Sequence, residues 1–151
     1  MLFRSDAVPL VPGKTEGVLY GGCLSMLAAS LGTPYEIQTE GKVLFLEDVS
    51  TKPFQIDRML MQLKLAGKLK GIRGLIVGEM KDCFQGPEQS YALPEVVTRV
   101  VDDLGVPAAY GMRSGHVTGA NLTLPIGVNA ELSVGGAVTL RILGPATRRD
   151  A

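Results

Sequence analysis

Apolar positions along the chain fall into short runs separated by glycine, proline and polar clusters. Val43, Leu44, Phe45 and Leu46 form an unbroken apolar run, the pattern of a strand covered on both faces. Glu47 and Asp48 follow at once. After a short loop, Ile56, Met59, Leu60, Leu63 and Gly67 recur at helical spacing behind Pro53, a residue suited to a first helical turn. The stretch GKVLFLEDVSTKPFQIDRMLMQLKLAG (41–67) therefore predicts a buried strand, a loop and an amphipathic helix. A carboxylate at the carboxyl end of a buried strand stands where open α/β sheets place their ligands. Glu47 is thus the first candidate for chemistry.

The remaining pattern extends this unit in both directions. Residues 1–14 carry Pro9, Pro12 and Gly13 and predict an entry linker, the remnant of a connection to something upstream. Val18 to Tyr20 predict a short strand, and Gly21 with Gly22 a tight turn. Leu24 to Leu31 predict a helix that stops at Gly32 and Pro34. Being apolar on all sides, that helix is expected to be buried. A Gly-Gly turn opening a helix can cradle an anion, but this one lacks the spacing of a phosphate-binding loop and reads first as structural. Leu75 to Val77 form a second buried run ending in Gly78 and Glu79, and Lys81 to Tyr91 is a polar loop. Leu93, Val96, Val97, Val100 and Leu104 define a helix that Gly105 ends. Pro107 to Tyr110 predict a third strand, leading into a glycine-rich loop with the sole histidine, His116. A hairpin is expected across Gly135 and Gly136, a two-residue turn signal, before a polar tail over 145–151. Alternating strand and helix units with a terminal hairpin predict one α/β domain over 15–144, with a mixed sheet and flanking helices.

Composition narrows the function classes. The 151 residues, 46% of them hydrophobic, suit a single globular domain. Lysine plus arginine and aspartate plus glutamate balance at 15 each, so nucleic acid and anionic membrane are not expected partners. The N-terminal stretch lacks the apolar core of a signal peptide, and no run reaches the length of a bilayer span. Two cysteines outside any CxxC pair predict reduced thiols and a cytoplasmic location. One histidine and two scattered cysteines do not make a zinc site.

Glu47 and His116 both follow short buried strands and both lie in loops. On neighbouring parallel strands their carboxyl ends would share one rim. A carboxylate bound to one imidazole nitrogen fixes the tautomer and leaves the other nitrogen to act as general base. The plainer reading is an exposed loop histidine and a surface strand end. A nucleophile is not evident: no GxSxG elbow occurs, and Ser25, Ser30, Ser50, Ser90, Ser114 and Ser133 sit in contexts that do not advertise activation. Cys23, at a helix start where the dipole lowers a thiol pKa, is the candidate for a Cys23–His116–Glu47 triad, against the plainer reading of a small buried hydrophobe. Asp57 and Arg58 read as solvated or paired. Arg58 and the Lys81–Tyr91 loop are candidate substrate-side elements.

The segments EGVLYGGCLSMLAASLGTP, GKVLFLEDVSTKPFQIDRMLMQLKLAG, GIRGLIVGEM and GHVTGANLTLPIG, in unbroken order, resemble the C-terminal domain of the LD-carboxypeptidases. These are serine peptidases of murein recycling, and the family includes microcin-immunity hydrolases. The resemblance implies a swivelling β/β/α type of domain and no metal or organic cofactor. It implies release of a terminal D-amino acid, D-alanine from cytoplasmic muropeptides, by a Ser-His-Glu triad. The family's glutamate corresponds to Glu47 and its histidine to His116. The nucleophilic serine and its oxyanion donors belong to the family's N-terminal domain, so a serine-bearing partner is implied and the chain alone is expected to be inactive. The family typically carries asparagine where this chain has Cys23, which leaves the contacts of that turn open. The rival readings are a non-catalytic module that binds a peptide or dimerises, with a homodimer expected, a microcin-immunity-type amide hydrolase, and an autonomous cysteine hydrolase.

Overall fold

The computed structural model describes residues 1–86 and 92–147. Its elements run β1 (Leu2–Ser5), β2 (Val8–Val11), β3 (Gly13–Cys23), α1 (Leu24–Ala29), β4 (Lys42–Glu47), α2 (Pro53–Leu65), β5 (Gly74–Gly78), α3 (Leu93–Asp102), β6 (Ala108–Met112), β7 (Asn129–Val134) and β8 (Val138–Ile142). All the strands join one eight-stranded sheet in the order β1-β8-β7-β3-β4-β5-β6-β2. β3 to β6 pair in parallel and the other pairings are antiparallel. The expected α/β class with a mixed sheet is therefore what the chain forms.

Residues 1–14, expected as a linker, instead supply both edges of this sheet. β1 lies at one end of the order and β2 at the other, yet only Asp6 and Ala7 separate them. So short a link reaches about 11 Å, so the sheet must curl until its two edges nearly meet. Curling of this kind brings β1 and β2, which remain the two edges of the sheet, close together. It also gives the sheet an inside and an outside. Leu19, Val43, Phe45, Ile76, Met112, Leu132 and Leu140 pack together on one face. On the other face Leu44, Leu46, Leu75 and Val77 meet Leu24 of α1, Ile56, Leu60 and Leu63 of α2, and Val96, Val97 and Val100 of α3. The apolar run 43–46 is continuous because alternate side chains enter two different cores.

Local chemistry sets the element ends. Gly67, with φ of +74°, closes α2: its N–H donates to the Lys64 carbonyl and that of Lys68 to the Leu63 carbonyl, a Schellman pair. Gly67 is thus a cap and not a core position. Gly21 and Gly22 do not form a turn. They continue β3, with φ of +134° and +155°, and pair with Phe45 and Leu46 of β4; a Cβ at Gly21 would overlap the Phe45 carbonyl. The strand there approaches β4 more closely than a side chain allows. Helix α1 is shorter than expected and only partly buried, with Leu24 and Ala28 inward and Met26 exposed. The terminal hairpin forms, but its loop is Gly135, Gly136 and Ala137, since Val134 pairs with Val138.

Candidate active site

The parallel strands place their carboxyl ends on one rim. Register pairs Cys23 with Glu47 across β3 and β4, and Leu46 with Val77 across β4 and β5. Glu47 continues the alternation of Val43 and Phe45, so its side chain stands on the inner face of the curled sheet, at its mouth. There its side chain is 7% exposed. Glu47 Oε2 accepts two hydrogen bonds from one residue, the His116 backbone N–H at 2.9 Å and the ring Nδ1 at 2.8 Å. This places the proton on Nδ1, and the other ring nitrogen, Nε2, lies on the far side of the imidazole from Glu47. His116 itself is half exposed.

Glycines make this contact sterically possible. Gly115 has φ of +87°, and a Cβ there would lie 2.5 Å from Glu47 Cγ, Cδ and Oε2. A Cβ at Gly78 would lie 2.8 Å from Glu47 Cβ. Both must be bare for the histidine loop and β5 to close over the acid. The loop is tied further by Ser114 Oγ donating to the Leu122 carbonyl at 2.8 Å and by Asn121 Nδ2 donating to the Gly115 carbonyl at 2.9 Å. Glu79 Oε1 accepts the Thr118 N–H at 3.1 Å. A groove of about 370 Å³ opens beside the pair, with Gly21, Phe45, Ser114, Asn121, Leu124 and Ile126 in its walls.

Asp48, next to Glu47, is buried at 2% exposure. Its carboxylate accepts the Ser25 N–H, the Val49 N–H and the Thr51 hydroxyl, each at 2.8 Å. Ser25 lies in the first turn of α1, so Asp48 caps that helix from just beyond the end of β4. Cys23, the N-cap residue, makes no side-chain cap of its own. An acid immediately after a buried strand was the visible signal; its target, separated by 23 positions, was not.

The remaining candidates fall in different places. Cys23 lies on the same rim as Glu47, half-buried, but its Sγ contacts Ser25 Oγ at 3.2 Å, and the imidazole hydrogen bond goes to Glu47. Ser30 and Ser114 direct their hydroxyls to backbone carbonyls, and Ser90 lies outside the described residues. Arg58 stacks over Phe54, 5.2 Å from the ring centre, and lines a separate groove between α1 and α2. Asp57 pairs with Arg99 of α3 at 2.8 Å. Of the Lys81–Tyr91 loop, Lys81 bridges to Val49 beside the rim, whereas residues 87–91 lie outside the described residues, as do 148–151 of the tail. Cys83 is buried, and burial pushes its thiol pKa up. No group of three or more metal-ligating side chains occurs among the described residues.

Comparison with known proteins gives this arrangement a context. Residues 16–132 match the family model of the LD-carboxypeptidase C-terminal domain. The chain is 44% identical over 130 residues to the probable murein peptide carboxypeptidase of Bacillus subtilis, covering 85% of this chain and 40% of that protein. It is 32% identical over 134 residues to the microcin C7 self-immunity protein MccF of Escherichia coli, covering 87% of this chain and 38% of that one. The crystal structure of muramoyltetrapeptide carboxypeptidase from Oxalobacter formigenes superposes with a TM-score of 0.86 at 31% identity, over 97% of this chain and 51% of that one. MccF bound to glutamyl sulfamoyl guanosine superposes with a TM-score of 0.79 at 25% identity, over 95% and 43% of the two chains. The chain thus spans about half the length, or less, of the relatives it matches.

Proposed function

The chain belongs to the LD-carboxypeptidase family, whose C-terminal domain it carries, and on that premise we propose that it supplies the base and the orienting acid of a serine-type amide hydrolase. The observation that carries the reading is the double hydrogen bond from His116 to Glu47, at 2.8 and 2.9 Å. One carboxylate oxygen holds both the ring and its own backbone, so the imidazole has a defined tautomer and direction before any substrate arrives.

In the proposed reaction His116 Nε2 takes the proton of a serine hydroxyl as that oxygen attacks the amide carbonyl. It then returns the proton to the departing amine. Glu47 holds Nδ1–H throughout and stabilises the imidazolium that forms between the two transfers. Water repeats the cycle on the acyl-enzyme. The serine and the donors that stabilise the tetrahedral oxyanion are proposed to come from an N-terminal half, because the matched relatives are about twice as long as this chain. The proposed substrate is a cytoplasmic muropeptide ending in a D-amino acid, D-alanine above all. The groove beside Phe45 and Leu124 would form this chain's share of the pocket. A microcin-type amide is the second reading, favoured by the likeness to MccF.

The test is reconstitution. The purified chain alone is expected to release no D-alanine from a muramoyl tetrapeptide. Adding the cognate N-terminal half should restore release, and His116→Ala should abolish it in the mixture. Hydrolysis by the chain alone that Cys23→Ser removes would establish the autonomous cysteine hydrolase instead. Inactivity of the mixture on both muropeptide and microcin-type amides would leave a non-catalytic binding module.

A further inference from the structure

The loop that carries His116 is held by two carboxylates, Glu47 and Glu79. β4 and β5 are adjacent parallel strands, and each ends in a glutamate or leads straight into one. Glu47, ending β4, accepts the His116 N–H at 2.9 Å. Glu79, the first residue after β5, accepts the Thr118 N–H at 3.1 Å. Alternate amides of one loop are therefore fastened to neighbouring strand ends. The fastening matters because the loop lies between Gly115 and Gly119, with φ of +87° and +94°. A segment flanked by two glycines in left-handed conformation has little intrinsic stiffness, and His116, Thr118 and Gly119 are all exposed. Glu79, by contrast, stands on braced backbone. A Cβ at Gly78 would lie 2.8 Å from Glu47 Cβ and 3.3 Å from the Ser114 carbonyl oxygen, so the backbone there has no room to spare. Met80 and Asp82 hold φ of +53° and +55°, and the Lys81 carbonyl accepts the Ser50 N–H at 2.9 Å. Left-handed non-glycine residues are costly and persist where the surroundings enforce them.

We propose that Glu79 is a positioning residue for His116, acting as the second clamp of its loop through a hydrogen bond to the Thr118 amide. The inference rests on His116 being the base of the proposed reaction, but its first readouts need no reaction. A carboxamide keeps the acceptor oxygen and removes the charge, so Glu79→Gln should preserve the clamp and Glu79→Ala should open it.

The sole histidine makes the measurement direct. Nitrogen-15 spectra of the full chain, at a pH where the imidazole is neutral, should show one tautomer with the proton on Nδ1. Glu79→Ala should add the Nε2–H tautomer and speed amide exchange at His116 and Thr118 about tenfold, the factor set by one net hydrogen bond. Glu79→Gln should restore both. In the reconstituted hydrolase, Glu79→Ala should lower kcat with KM little changed. Unchanged tautomer and exchange in a folded Glu79→Ala chain would overturn the proposal, as would a Gln variant as damaged as the Ala variant. Should Glu79→Ala fail to fold, a wild-type Thr118 amide that exchanges as fast as an unstructured one would overturn it as well. Spectra that respond as expected alongside an inactive reconstituted enzyme would support the clamp and count against His116 as base.

Discussion

Replacing Gly115 by alanine should break the Glu47–His116 pair while leaving the sheet intact, and a built-in control isolates the cause. Gly111 and Gly115 share a φ of +87°, so alanine at either site meets left-handed backbone strain of about 1–2 kcal/mol. A Cβ at Gly111 would enter open space, whereas one at Gly115 would lie 2.5 Å from three atoms of the Glu47 side chain. Ordinary contact is nearer 3.5–4 Å, so either Glu47 or the loop must move by about 1 Å. That displacement parts the hydrogen bonds of 2.8 and 2.9 Å. Each is a charge-assisted bond of about 1.5–3 kcal/mol, partly replaced by water at the exposed loop. Gly115→Ala should therefore destabilise by about 2–3 kcal/mol more than Gly111→Ala. With a urea slope of about 1–2 kcal/mol/M for a domain of this size, the midpoints should differ by about 1–3 M. The same samples, observed at the His116 ring nitrogens, should show a single Nδ1–H tautomer for Gly111→Ala and a mixture for Gly115→Ala. Equal midpoints, or an unperturbed imidazole in Gly115→Ala, would refute the steric argument.

Three further outcomes follow from other parts of the molecule. Asp48→Ala removes the acceptor of the Ser25 amide, the Val49 amide and the Thr51 hydroxyl, and should cost about 2–4 kcal/mol in urea unfolding; a loss below about 0.5 kcal/mol would contradict its capping role. The Arg141 guanidinium, with Lys14 beside it, holds the Glu131 carboxyl down from 4.5 to about 2. Because the folded value is depressed, the stability it contributes is present above pH 4.5 and lost as pH falls toward 2. Tm plotted against pH should accordingly lose part of its decline in that window on Glu131→Gln, and parallel curves would show that the pair adds nothing. A disulfide reagent should modify half-buried Cys23 in the native chain and reach Cys83 only on unfolding, since burial both shields that thiol and raises its pKa; two equally fast thiols would be the contrary result.

What the amino-acid order settles by itself is the local grammar. The unbroken run at 43–46, the helical spacing behind Pro53 and the valine stripe of α3 each announce an element, because apolar periodicity reports which faces leave water. The strand-end position of Glu47 was legible for the same reason, and so was the loop setting of His116. Their meeting was not legible from spacing alone, since 69 positions separate them and only the parallel order of β4, β5 and β6 brings both to one rim. Their shared setting at strand ends makes them a candidate pair, and the resemblance to a family points to the same two residues. Residues 1–14 misled because prolines and a glycine look like a linker until their partners are known, and those partners lie at β8 and β6. The paired glycines at 21 and 22 likewise signal a turn by composition, yet they serve a close approach of two strands. Local pattern encodes which residues avoid water. Which carboxylate meets which amide is decided only when the curled sheet brings distant strand ends together, and there the bare Cα atoms of Gly78 and Gly115 let the acid and the imidazole touch.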